Sequence, residues 1–214
     1  MPQGSHLPDA VVSARVVSAR SAKGCVDLTE LAAAESWSPA PLEMVGFSLP
    51  ESVRQARQRM LVQYRGRFHD VRLVAGMAGI GDIANGEYVC DGVYDNLGRG
   101  NNAWYEKHGL RVDDNGTCAF FAGKGESLQV ANAISFFGWE NGNYAHWLSE
   151  KLGRFYWIEQ ADLPHDTVVL VEAGLPASIM DALALFWPRE RTLCVPPGSA
   201  CQVAVLHHFS DTAD

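Results

Sequence analysis

The chain has 214 residues, 17 Lys and Arg against 25 Asp and Glu, a formal net charge of −8, and 47% apolar residues. That balance suits a single globular domain with a sizeable core, and it argues against a nucleic-acid binder, whose affinity rests on clustered basic side chains. Five cysteines at 25, 90, 118, 194 and 201 are odd in number and form no C-x-x-C pair, which predicts reduced thiols with no disulfide framework and no structural zinc.

The first 24 residues are small and polar and carry a tandem, Val11-Val-Ser-Ala-Arg15 and Val16-Val-Ser-Ala-Arg20, that reads as a short strand or a duplicated slip. No apolar core of a signal peptide and no run approaching about 18 apolar residues is present, so a cytoplasmic location without an integral membrane segment is expected. Pro39, Pro41 and Pro50 mark a connector. Residues 1–50 are therefore expected as an extension and connector, and residues 51–214 as one α/β lobe. A helix is predicted over Glu51 to Gln63, with Arg54, Arg57 and Arg59 on a solvated face. Strands follow at 70–75, 87–91 and 117–121, with a β-rich stretch from Leu128 to Phe137 and a Gly and Asn loop at 96–101.

Gly76-Met-Ala-Gly79-Ile-Gly81 follows an apolar strand but precedes no helical pattern, and a dinucleotide fingerprint needs a helix N-terminus for its pyrophosphate. A hairpin turn is the expectation there. Asp113-Asp-Asn-Gly116, before a strand, reads as a tight turn. A helix from about Asn143 to Gln160 leads into an apolar strand at 167–172, a helix at 176–186 and strands at 191–195 and 202–206. Alternation of strand and helix at these lengths predicts a parallel α/β sheet. His207 and His208 point to opposite faces of a strand and complete no metal set; terminal solvent exposure is expected for them.

The segment Asn143-Tyr-Ala-His146-Trp-Leu-Ser-Glu150-Lys-Leu-Gly-Arg154 concentrates the polar chemistry. At about 100° per residue, Asn143, His146, Glu150, Gly153 and Trp157 fall within a stripe roughly 80° wide. Tyr144, Leu148, Leu152 and Phe155 fall opposite and are expected to be buried. Asn143 suits the N-cap, which places His146 near the positive end of the helix dipole. On spacing alone, His146 and Glu150 are a surface i, i+4 pair. Trp139 and Trp157 flank the segment and suit either sugar stacking or the core.

The helix is similar to the N-x-x-H-x-x-x-[DE] helix of glycosyltransferase family 61, whose bacterial members include capsular polysaccharide biosynthesis proteins. Leu152-Gly-Arg154, Val168 to Pro176 and Arg191 to Pro196 agree with its flanks, and Val71 to Gly76 and Gly86 to Asp91 resemble the paired strands before it. The likeness covers roughly residues 68–206. It implies the N-terminal, acceptor-side half of a two-lobed GT-B architecture, expected here as a Rossmann-like parallel-sheet lobe with a β-rich N-terminal part. The donor-binding lobe is expected from a second lobe or chain, and the location at most peripheral to the inner face of a membrane.

The implied reaction is inverting transfer of a sugar from a nucleotide-sugar to a cell-surface or capsular glycan, with no cofactor and no metal. His146 and Glu150 are then the catalytic candidates, one of them the general base for the acceptor hydroxyl, with Glu150 orienting the imidazole if His146 is the base. Asn143, Arg154 and Trp157 are the expected substrate contacts, Arg154 as ion-pair partner or phosphate contact. The alternative is a catalytically silent α/β module that binds a glycan or a partner chain.

Overall fold

A computed structural model describes residues 11–33, 35–37, 58–60, 62–98, 100, 102–139 and 141–210. The strands are Val11–Val17 (β1), Cys25–Ala32 (β2), Glu35–Trp37 (β3), Gln58–Met60 (β4), Gln63–Val74 (β5), Ile80–Asp82 (β6), Glu87–Val89 (β7), Leu110–Val112 (β8), Thr117–Phe121 (β9), Lys124–Ser135 (β10), Val168–Glu172 (β11), Thr192–Val195 (β12) and Ser199–Phe209 (β13). The α-helices are short: Asp91–Asp95 (α1), Asn102–Lys107 (α2), Tyr144–His146 (α3), Phe155–Ile158 (α4) and Ala177–Ala184 (α5).

Eleven strands form one mixed sheet in the order β12-β11-β10-β13-β5-β6-β7-β1-β9-β8, with β2 also paired to β5, while β3 and β4 form a separate antiparallel pair. Only part of it matches the expected parallel lobe. β12, β11, β10 and β13 run parallel, and helical segments connect β10 to β11 and β11 to β12. From β13 onward, β5, β6 and β7 alternate antiparallel, as do β1, β9 and β8. The Rossmann-like reading is therefore corrected to a β-rich mixed sheet. The physical reason lies in the connections: β5 to β6, β6 to β7 and β8 to β9 are joined by a few residues each, and such short links permit antiparallel neighbours alone, whereas a parallel step needs a crossover of a dozen or more.

The expected boundary at residue 50 does not separate the first strands from the rest. β1 lies between β7 and β9 in the sheet, and β2 pairs along β5. Of the helix expected over 51–63, residues 51–57 lie outside the described residues, Gln58–Met60 is strand, and Gln63 opens β5. There the side chains alternate, with Tyr64, Gly66 and Phe68 buried against exposed Arg67 and His69, the period of two that a strand requires. The alternation slips at Asp70, whose φ of 53° is left-handed, so that Val71 and Leu73 take over the buried side.

Two short motifs behave as the turn chemistry predicts. Gly76 to Gly81 joins β5 to β6 as a hairpin, and a Cβ on Gly79 would lie 2.2 Å from the Tyr88 ring, so glycine is required there by close packing. The Asp113 carboxylate accepts from the Asn115 and Thr117 amides, each at 2.9 Å, closing the turn before β9. His207 and His208 depart from expectation. They do face opposite sides, but β13 is an interior strand flanked by β10 and β5, so a late position in the sequence is not an exposed position in the sheet. His207 is buried, and His208 packs against Tyr64 and Phe68 at ring distances of 5.8 and 5.9 Å.

The helical layer covers one face of the parallel strands, where Ile134, Phe136, Val169, Val171 and Phe209 meet Trp147, Phe155, Ile158, Ile179 and Leu183. Between α3 and α4 the helix is irregular: Trp147–Lys151 forms a π turn and Leu152–Arg154 a 3-10 turn. This breaks the 100° phase assumed for the stripe. Trp147, Lys151, Leu152, Arg154, Phe155 and Ile158 are buried, whereas Tyr144 and Leu148, expected inside, are 45% and 50% exposed.

Trp147 is 1% exposed and its indole N–H donates to the Asn141 carbonyl at 2.8 Å. Trp147→Ala is expected to cost about 3–5 kcal/mol of folding stability, while Leu148→Ala stays within about 0.5 kcal/mol of the parent. Urea denaturation of the two variants checks the order; equal losses would place Leu148 back in the core.

Candidate functional site

β10 delivers the chain at Ser135 into a loop that ends at α3. Phe136 extends the parallel ladder by donating its amide to Leu170 at 2.9 Å, after which the loop is held by side chains. The Asn141 amide donates to the Phe136 carbonyl at 3.2 Å and to Glu172 Oε1 at 2.6 Å. The Asn143 carbonyl accepts the first helical bond, from the Trp147 amide at 3.2 Å. Asn143 therefore stands where the N-cap was expected, exposed at the start of the helix.

His146 and Glu150 are brought together. Nδ1 of the imidazole pairs with Oε1 of the carboxylate one turn on, and the side chains are 42% and 24% exposed. An imidazole whose Nδ1 is engaged by a carboxylate is held in one orientation, with Nε2 the nitrogen suited to proton exchange with a ligand. Arg154 does not join them. It is 4% exposed, donates through Nη1 to the carbonyls of Ser135 at 3.2 Å and Phe209 at 3.3 Å, and lies 4.2 Å over the Phe136 ring. The expected phosphate contact is thus a strut inside the fold. Trp157 is half-buried and packs on the core beneath the helix, edge-to-face with Tyr156 at 4.7 Å.

Beside the pair lies a buried polar group that sequence reasoning missed. Lys151 is 8% exposed, and its Nζ would be 3.3 Å, and Asn141 Oδ1 3.4 Å, from a Cβ placed on Gly138. The Glu172 carboxylate at the end of β11 accepts from the Asn141 side chain and from the Gly76 and Gly138 amides; burial nevertheless pushes its carboxyl above the ordinary value, the N–H donors only partly offsetting the shift. One signal was available. Glu172 closes the apolar run Val168–Val171, and the carboxyl ends of parallel strands are where ligands bind in open α/β sheets.

The same loop contributes to an aromatic recess. A cavity of about 410 Å³ is lined by Gly92, Asn96, Trp104, Tyr105 and Trp139, with Trp104 and Trp139 edge-to-face at 4.8 Å. Trp139 packs partly on the core and also walls this recess. Among the described residues, no group of three or more His, Cys, Asp or Glu side chains is placed to hold a metal ion, and no helix is long and apolar enough to cross a membrane. Comparison with family models, with curated proteins and with solved structures finds no match to this chain.

The raised Glu172 value carries a pH signature. The folded state holds this proton more tightly than the unfolded chain, so the stability it contributes is full below the ordinary glutamate range and declines as pH rises through the raised value. Glu172→Gln should flatten the decline that begins at the ordinary glutamate range. Urea midpoints of both proteins from that range upward measure it; parallel profiles would show that Glu172 titrates alike in both states.

Proposed function

We propose that the chain acts in glycosyl transfer, as in family 61, whose helix its own resembles, with His146 taking the proton of an acceptor hydroxyl and Glu150 orienting the imidazole. The observation that carries this reading is the pairing of His146 with Glu150 on a partly exposed turn, immediately after a loop whose Trp139 walls an aromatic recess. A general base must reach its substrate while being held in one orientation, and this pair meets both conditions. Indole faces suit the apolar faces of sugar rings, and Trp104 and Trp139 supply them beside Asn96. The substrates of this reading are a nucleotide-sugar and a glycan acceptor, with no nucleic acid. In this reading Asn143, exposed at the start of the helix, is a polar contact for substrate.

A second reading is a module that binds glycan without turnover. Its support is that the aromatic recess is not lined by His146 or Glu150.

Transfer to oligosaccharide acceptors from a panel of uridine-, guanosine- and cytidine-activated sugars, assayed in an extract of the host cell that can supply the donor-binding lobe, separates the two. Under the first reading His146→Ala lowers the rate by about 10²–10⁴ and leaves the melting temperature unchanged. Early melting of His146→Ala with full transfer per folded molecule would sink the catalytic assignment. Glycan binding lost on Trp104→Ala, with no transfer from any donor, would favour the silent module.

A further inference from the structure

Beyond the end of α4, on the face of the sheet that the helical layer covers, a cavity of about 380 Å³ opens between the strands and the loop Ala161 to Pro164. Strand register explains its lining. Thr29 and Phe209 both stand opposite Arg65, His207 stands opposite Arg67, and Val205 lies between His69 and Asn132. Directly opposed residues share a face, as do alternate residues along a strand, so one patch collects two guanidiniums and an imidazole over an apolar floor. The helix from His146 to Ile158 spans roughly 18 Å at about 1.5 Å per residue, which makes this a place separate from the His146 and Glu150 pair.

The polar groups divide into those already satisfied and those that are not. Arg67 is ion-paired with Asp27. The Thr29 hydroxyl donates to the Asp27 carbonyl at 3.2 Å, and the Asn132 amide donates to Asp166 at 3.0 Å. Arg65 makes no ion pair or side-chain hydrogen bond among the described residues. His207 is 8% exposed, and its Nε2 is buried without a hydrogen-bond partner. An unpaired buried polar atom is costly, and this one belongs to a residue lining a cavity within the size range of small-ligand sites. Of the two lining carboxylates, Asp27 is held by Arg67 and Asp162 sits on the exposed loop.

We propose that this cavity is a ligand site for a small organic anion, whose carboxylate or phosphate group is held by Arg65 and by His207 Nε2 while its apolar body rests on Val205, Leu163 and Pro164. The proposal is independent of the glycosyl-transfer reading and stands if that reading fails. Arginine suits either anion because its planar fork donates two parallel hydrogen bonds to carboxylate or phosphate oxygens.

The test is titration of the full chain with phenyl phosphate, inorganic phosphate and benzoate, following the His207 imidazole by NMR, with His207→Asn to assign the signal. A saturable shift with at least one probe is expected; the phosphates and benzoate separate the two anion sources. Arg65→Gln should weaken that binding tenfold or more, Arg65→Lys less than Arg65→Gln, and Leu148→Ala not at all. Absence of a saturable shift with every probe overturns the proposal, as does binding that survives both Arg65 variants unchanged.

Discussion

The guanidinium of Arg154 joins the helical layer to the sheet, and the placement of His146 and Glu150 on that layer depends on the join. The carbonyl of Ser135 lies at the end of β10 and that of Phe209 at the end of β13, where strand ladders run out of partners. A buried carbonyl without a donor and a buried cation without an acceptor are each costly, and here one contact answers both. The Phe136 ring beneath the guanidinium adds a cation–π contact. The helix is thereby tied at its middle to two parallel strands. Glu150 and His146, one and two turns earlier, inherit their placement from a residue that never reaches the surface.

Much of the C-terminal third was legible because its elements declare their own periods. Val168–Glu172 is a short apolar run, Ala177–Ala184 follows Pro176, and the segment after Asn143 is helical, though with π and 3-10 turns within it. The parallel pairing of β10, β11 and β12 follows from the helices between them. Extending that pattern to the whole chain failed, because the N-terminal strands find neighbours through hairpins and through pairings distant in sequence, such as β1 with β9. Local period carries no information about which strand a given strand will meet.

The candidate site was legible in part for a different reason. His146 and Glu150 at i, i+4 meet on any helical turn, so their pairing survives the irregular geometry. Predictions that depended on phase over longer spans did not survive it, as the exposed Tyr144 and Leu148 show. Lys151 and Asn141 gave no signal at all, since burial of a lysine or an asparagine is set by what folds over it. Glu172 was visible only as an acidic residue ending an apolar strand.

The π turn at Trp147–Lys151 holds one residue more than the α turn it replaces. That surplus uncouples the two ends of the segment in rotation: the part from Lys151 onward answers to the sheet below it, and the part up to His146 answers to solvent and to the loop from Phe136. In an unbroken α-helix every exposed position is bound by fixed angles to every anchoring one, and new surface chemistry must be found within a set phase. Here the surface end has its own angular setting. A helix divided in this way can change what it presents without disturbing how it is held.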